Sequence, residues 1–553
     1  PMNMAFDTRG RLWVTSSTEY PYPAPDDRTP QDTIKILEDT NGDGRADNIT
    51  TFADGLNIPM GLYPYDGGVI CFSIPYVWNL RDTDGDDRCD LREKLYGPFD
   101  CSRDTHGMCN SFTRGLDGWL YACHGFNNQS TVAGKDGHIV TLQSGNVFRM
   151  RLDGSRIEHV SHGQVNPFGM TFDRHGDLLT ADCHTKPISL IMHGGYHASF
   201  GKPHDGLGFV PNVMEHLHRS TGIAGIALGE DSHFPEAYQS STFGGNVVTS
   251  RINRNRLLHR GSTVVAEEES DFLISEDPWF RPVDLQVSPD GALYVADFYN
   301  SIIGHYEVPL DHPKRDRHRG RVWKITHREP TTLRKTEDGT TQTYRRFAEQ
   351  PEDLPEDIDL LAEAPLTQRA AVMAIAAAKP SAKRVSQLLN WRRQVAQDDK
   401  HLQHAFKIAL KHHLTDPKTF STAQVADEDV QVVADICLAL KHPQAAKFLV
   451  AHLEQLPSER LNTYLKFAAR STSLTALPKV VSLARTRFEN DLHQQRELLL
   501  GIREGLIQRG INFRSNNPQL ALIKAWASDL AKEWLVISDD PDLPIQWTSS
   551  NNT

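Results

Sequence analysis

Over the first part of the chain, short runs of alternating apolar and polar residues are each entered through a turn built on Asp and Gly. The first reads Phe6-Asp7-Thr8-Arg9-Gly10-Arg11-Leu12-Trp13. Gly115 to Tyr121, Phe172 to Leu179 and Ser288 to Tyr294 repeat it, with weaker versions at Asp66 to Ile70 and Phe243 to Val248. Alternation bounded by Asp-Gly turns predicts short antiparallel strands. The turn glycines Gly10, Gly67, Gly118, Gly176, Gly244 and Gly291 are 57, 51, 58, 68 and 47 residues apart. Each interval suits one four-stranded sheet. Packing six such sheets radially leaves few exposed strand edges, so the pattern predicts a six-bladed β-propeller over residues 1–327. One or two antiparallel sandwiches are the alternative.

From Ile358 the period changes. Apolar residues recur at three and four, as in Leu402, Ala405, Phe406, Ala409 and Leu410, which predicts helices. The predicted spans are 366–378, 383–395, 402–414, 430–440 and 445–456, continuing to Trp534. Paired helices of about 12 residues joined by short turns resemble an irregular HEAT-type solenoid over 358–553, with a compact bundle as the alternative. Residues 328–357 are charged and Thr-rich without periodicity and read as a linker. The predicted class is mainly β, then α.

Composition supports the division. Of 38 glycines, only Gly339, Gly501, Gly505 and Gly510 follow residue 328, and 18 of 25 histidines precede it. Chemistry that uses imidazole is therefore sought in the first part. A formal charge of −12 leaves no broad basic face for nucleic acid. No apolar run is long enough for a spanning helix. Seven cysteines are too few for a disulfide scaffold. The opening Pro1 to Met4 drops straight into a strand pattern, which reads as a fragment or a processed chain, so an export signal could have been removed.

Two segments place oxygen ligands at alternate positions. Asp39, Asn41, Asp43 and Asp47, with the Arg45 carbonyl, form one loop; Asp82, Asp84, Asp86 and Asp90, with the Arg88 carbonyl and Glu93, form the other. Calcium takes six to eight hard oxygens around a tight turn, so both are candidate calcium loops with a structural role. Gly44 stands at the sharp turn of the first, Asp87 at the same place in the second.

A second constellation lies at the ends of the predicted blade strands: Asp104, His106, His124, Asp182, His184, His204, Asp205, His216, His218, Arg251 and Arg281. Residues at strand ends in a propeller converge on a mouth of the central channel. There a histidine can take a proton from an alcohol and arginines can hold anionic groups. Histidines with Cys123 or Cys183 could instead ligate a transition metal.

These residues also carry a family resemblance. Gly10 to Val14, the Asp-Thr-Asn-Gly-Asp-Gly loop, Asp104-Thr105-His106-Gly107-Met108, Val165-Asn166-Pro167-Phe168-Gly169, Pro203 to Phe209, Asp277 to Asp284 and Asp297 to Asn300 resemble the exported "membrane-bound dehydrogenase" proteins of planctomycetes. Those in turn are distantly similar to soluble sugar dehydrogenases that use pyrroloquinoline quinone (PQQ) and calcium. The resemblance implies His106 as the base for a substrate hydroxyl, and Asn166, Arg251 and Arg281 as groups that grip cofactor or substrate. Val165 and Val283 stand where that pattern has arginines. It further implies a periplasmic or envelope location and a cytochrome c segment as electron acceptor. No Cys-x-x-Cys-His occurs in this sequence, so any haem belongs to a segment outside it.

Three functions follow as expectations. The first is an exported oxidoreductase acting on a sugar or polyol. The second is a noncatalytic propeller that binds carbohydrate or protein, the helical part offering a surface to a protein partner. The third is a metal-dependent lyase or hydrolase built on the histidines.

Overall fold

The computed structural model describes residues 1–302, 304, 306, 308–329, 339–512 and 517–538. Six antiparallel sheets follow one another in the first part. Blade I is β1 (Met4–Phe6), β2 (Leu12–Ser16), β3 (Asp32–Glu38) and β4 (Asn48–Leu56). Blade II is β5 (Met60–Tyr65), β6 (Gly68–Ser73), β7 (Tyr76–Arg81) and β8 (Leu91–Tyr96). Blade III begins with β9 (Asn110–Arg114) and β10 (Leu120–His124), is interrupted by a hairpin of β11 (Gln129–Ala133) and β12 (Ile139–Gln143), and resumes with β13 (Asn146–Met150) and β14 (Ile157–His162). Blade IV has β15 (Pro167–Phe172), β16 (Leu178–Asp182) and β17 (Ile188–Ile191). Blade V has β18 (Ile223–Leu228), β19 (Ser241–Asn246), β20 (Arg251–Arg260), β21 (Thr263–Glu268) and a short β22 (Leu273–Ile274). Blade VI has β23 (Pro282–Val287), β24 (Leu293–Asp297) and β25 (Arg321–Ile325). The six predicted blades are present, but IV and VI carry three strands instead of four.

The first strands of the blades form the inner ring. β1, β5, β9, β15, β18 and β23 are neighbours in turn, and β23 adjoins β1. Backbones pass closely there: a Cβ on Gly169 would collide with Gly225, and one on Gly225 with the backbone of Asp284. The ring is closed by Asp284, whose carboxylate accepts from Met4 N at 2.8 Å and Asn3 Nδ2 at 3.4 Å.

Five of the six turn signals connect first and second strands as predicted. Asp7 shows how they work: its carboxylate accepts from the N–H groups of Arg9 and Arg11, both at 2.9 Å, and from Trp13 Nε1 at 3.0 Å. The exception is Gly244-Gly245, which lies inside β19; blade V makes its turn through residues 229–240. Gly245 is required by close approach instead, because a Cβ there would meet the carbonyls of Pro282 and Ala224.

The chain forms two compact units. The first takes the described residues of 1–204, 208–378 and 395–406, and the second those of 205–207, 379–394 and from 407 onward. The first therefore includes two helices, Gly339–Glu349 and Pro365–Ala377. The helix Gly339–Glu349 falls in the segment expected to be a linker without periodicity. Its anchors are charged: Glu349 meets Arg149 and the Trp119 indole N–H, and Arg345 and Arg369 both pair with Asp177. Burial opposes the Asp177 charge, yet the two guanidiniums outweigh it and hold the carboxyl below its ordinary range. Such contacts leave no apolar stripe to read.

In the second unit, helices Ala382–Gln394, Val430–Cys437, Pro443–His452, Leu461–Ser471, Leu477–Arg487 and Leu492–Gln508 bury Val, Leu, Ile and Ala along one face. Gly501 and Gly505, one turn apart, let the last of these approach Leu461–Ser471: a Cβ at either would strike Asn462 or the Lys466 carbonyl.

Candidate functional site

In an antiparallel blade the start of the first strand and the end of the second lie at the same edge. The residues at these edges line an axial cavity of about 260 Å³. Met60, Asn166, Phe168, Ile223, Ala224, Arg281 and Val283 come from first-strand entries, and Cys183, His184, Val247, Val248, Phe298 and Asn300 from second-strand exits. His106 and Gly107 precede β9, and Tyr20 comes from the connection between β2 and β3. Three residues predicted to converge, His106, Asn166 and Arg281, thus share one wall system although 175 positions separate the first from the last.

Each is fixed by its turn. His106 N–H donates to Asp104 Oδ1 at 2.6 Å, and His106 Nδ1 lies 2.6 Å from the Tyr20 hydroxyl. Asn166 is buried, and its Oδ1 accepts from Phe126 N at 3.2 Å. The Asp182 carboxylate takes the N–H groups of Val165, Asn166 and His184 together with the Thr185 hydroxyl. Beside them burial pushes the Cys183 thiol well up, so it stays protonated.

Arg281 is 7% exposed. Its guanidinium donates to the Asn300 carbonyl at 2.7 Å and to Ser250 Oγ at 2.6 Å, and to the Phe280 and Ser301 carbonyls at 3.4 Å. Burial lowers its pKa, against the more distant charges of Asp297 and Asp277. No carboxylate among the described residues reaches it within ion-pair distance. Arg315, which carries no sequence motif, brings a second guanidinium from the connection between β24 and β25. Among the described residues no Asp or Glu lines the cavity. Its charge is cationic and its remaining walls are largely apolar, which suits a flat anion.

Other predicted residues lie elsewhere. Arg251 does not line the cavity; it opens the third strand of blade V and pairs with Asp271 at 2.7 Å. His124 is buried with both ring nitrogens engaged, to the Ser144 carbonyl at 2.8 Å and Ser130 Oγ at 2.9 Å. His216 bonds Asn255 at 2.8 Å, and His218 lies 3.4 Å from Glu268, both beside β20 and β21. His204 packs edge-on to Phe209, and Asp205 belongs to the helical unit, paired with Lys411 at 2.5 Å. Cys123 is in the core of blade III. Among the described residues no group of three that includes a cysteine brings ligand atoms within 4.8 Å of one another, so the transition-metal arrangement finds no geometry here.

A family model for a domain of unknown function, DUF7133, matches residues 1–329. The chain belongs to this family. No curated protein matches it. Similar solved structures include a putative oxidoreductase (glucose dehydrogenase) from Thermus thermophilus, at 17% identity over 59% of this chain and 95% of that one, TM-score 0.38. The PQQ-bound aldose sugar dehydrogenase of Streptomyces coelicolor is 16% identical over 50% and 96%, TM-score 0.28. Streptogramin B lyase is 14% identical over 53% and 89%, TM-score 0.29.

The acidic loops of this DUF7133 chain join β3 to β4 and β7 to β8, so they lie at the blade edge opposite the cavity. In the second, carboxylate oxygens of Asp82, Asp84 and Asp86 lie within 4.8 Å of one another, and repulsion from Asp86 raises the Asp84 pKa. This donor set fits a hard cation. In the first, Asp39 accepts from the N–H groups of Gly42, Asp43 and Gly44, Asn41 from Asp43, Asp43 from Arg45, and Asp47 from Thr40. Asp90 accepts likewise from Thr83 and Asp86 from Arg88. Asp87 takes the left-handed φ of +60° that Gly44 takes at +86°, and its carboxylate pairs with Arg11 at 2.9 Å and Arg9 at 3.0 Å. Glu93 turns from the loop to Lys135 at 3.2 Å.

Proposed function

We propose that the DUF7133 propeller is an oxidoreductase module that oxidises a hydroxyl of a sugar or polyol in its axial cavity, beside an anionic cofactor of the PQQ class. The observation that carries this reading is a cavity wall that holds His106, Arg281 and Arg315 and, among the described residues, no carboxylate. A sugar alone would face its hydroxyls to Met60, Phe168, Val248 and Val283; a flat polycarboxylate would set its faces on that apolar wall and its edge on the guanidiniums. Arg315 then supplies a cation that Val283 does not. When bound, the quinone supplies the two-electron acceptor that this chain lacks. His106 takes the substrate's hydroxyl proton, Asn166 positions the ligand, and Arg281 and Arg315 hold its carboxylates.

Calcium at the acidic loops is structural in this reading, since those loops stand at the far edge of the blades. Passage of electrons to a c-type haem outside this sequence, and a location outside the cytoplasm, belong to the same proposal. The test is reconstitution of the full chain with PQQ and calcium, followed by dye reduction with a panel of aldoses and polyols. Turnover that disappears in His106→Ala is expected. Absence of turnover, with no cofactor retained, would favour a noncatalytic binding module.

A further inference from the structure

This inference rests on the cavity reading above and concerns a residue that no motif singles out. Tyr20 sits at the cavity wall, its ring edge-on to Phe298 at 5.7 Å, with its hydroxyl 2.6 Å from His106 Nδ1. Two tautomers satisfy that distance. If the phenol donates, Nδ1 is an acceptor, Nε2 carries the ring proton, and the neutral imidazole cannot take a proton there. If Nδ1–H donates to the phenol oxygen, Nε2 is the basic atom. A hydroxyl both gives and accepts, so the phenol can serve the second arrangement and keep its own proton. A carboxylate in this position would orient the ring and add a charge. Among the described residues no carboxylate lines the cavity, and Asp104 Oδ1 accepts from His106's own backbone N–H.

We propose that Tyr20 is the positioning residue of His106: its phenol oxygen accepts the Nδ1 proton and holds the imidazole in the tautomer whose Nε2 receives a hydroxyl proton from the substrate. In that transfer the substrate O–H bond breaks, an Nε2–H bond forms, and the Nδ1–H···O contact persists in the imidazolium. Among the described residues, the titratable and charged groups around the ring include Asp104 on its own turn, Tyr306, whose hydroxyl meets Thr105 N at 2.7 Å, and Cys183, His184, Arg281 and Arg315 in the cavity wall. None of them is changed by removing the Tyr20 hydroxyl.

A phenol oxygen that accepts from Nδ1–H stabilises the imidazolium more than the neutral ring, so its loss lowers the protonation midpoint of His106. The midpoint thus reports the Nδ1–phenol contact, and 15N shifts report which nitrogen of the neutral ring holds the proton. The experiment is pH-dependent modification of the full chain by diethyl pyrocarbonate, read at His106 by peptide mass spectrometry, in the wild type and in Tyr20→Phe. A downward shift of about one pH unit, tenfold in proton affinity, is expected. An unchanged circular dichroism spectrum and thermal midpoint in Tyr20→Phe report that the chain is folded. An unchanged or raised midpoint would overturn the proposal.

A second measurement needs no variant at Tyr20. The 15N shifts of the labelled wild type above the midpoint, assigned by difference from His106→Gln, should show a protonated Nδ1 and an unprotonated Nε2; the reverse would overturn it. Neither measurement uses turnover or cofactor. Failure of the dye assay would leave the Tyr20–His106 pairing standing, and failure here would leave the oxidation to be judged by that assay.

Discussion

Arg281 donates to the Asn300 carbonyl and Ser250 at short range and to the Phe280 and Ser301 carbonyls at 3.4 Å, and meets no carboxylate within ion-pair distance among the described residues, so its charge is available to a ligand. Arg251, by contrast, is already paired with Asp271. Charge-assisted hydrogen bonds contribute about 1.5–3 kcal/mol each. Arg281→Gln should therefore weaken binding of PQQ by roughly 10- to 100-fold in isothermal titration, while Arg251→Gln stays within about twofold. Equal losses in the two variants would remove the distinction drawn between them. This contrast was not legible in the sequence. Arg251 stood at a suitable strand end, but the alternation of a strand does not tell whether its residue begins the first strand or the third. His106 and Asn166 were legible because their turns carry tight local motifs. Arg315 and Tyr20 lie in long connections without one, and only the closed ring brings them to the same wall.

At the scale of the element, the two acidic loops and the closure of the ring respond to different solutes. If the second loop holds calcium, millimolar calcium should raise the thermal midpoint of the full chain and Asp84→Asn should abolish most of that rise. PQQ binding should be unaffected by the same substitution, because the loop and the cavity occupy opposite blade edges; loss of both would contradict the topology-based separation. Closure of blade VI on blade I depends on Asp284, whose carboxyl burial pushes up to about 7. A carboxyl with a raised native pKa binds its proton in the folded chain while the unfolded chain has already released it. The stability contributed by the protonated group is thus full below about pH 4 and falls as pH rises toward about 7, by up to about 1.4 kcal/mol per unit. Urea unfolding between pH 4 and 7 should show this slope, and Asp284→Asn should flatten it at some cost in stability at every pH. An unchanged slope would mean that another group carries the titration. The acidic spacing of the loops was readable because carboxylates at alternate positions of one turn are a local sequence property. The Asp87 departure was not, since its reason is a pair of arginines from the neighbouring blade.

The molecule as a whole was legible where a local period reports a global arrangement. The turns at Gly10, Gly67, Gly118 and Gly176 repeat at intervals of 57, 51 and 58 residues, and Gly291 follows two blades later, because each closes the first hairpin of a blade; the helical spans after residue 358 agree with the structure to within a few positions. Gly244-Gly245 broke the rule because glycine also serves close approach between strands, which leaves the same letters in the sequence. The helix Gly339–Glu349 escaped because what anchors it is polar. What no single segment states is that the entries of six inner strands surround one cavity. A crystal structure of the full chain grown with PQQ tests that most directly. The account predicts the ligand in the axial cavity, its carboxylates on Arg281 and Arg315 and its ring system within reach of His106. Ligand bound on an outer face, with the cavity filled only by water, would contradict it.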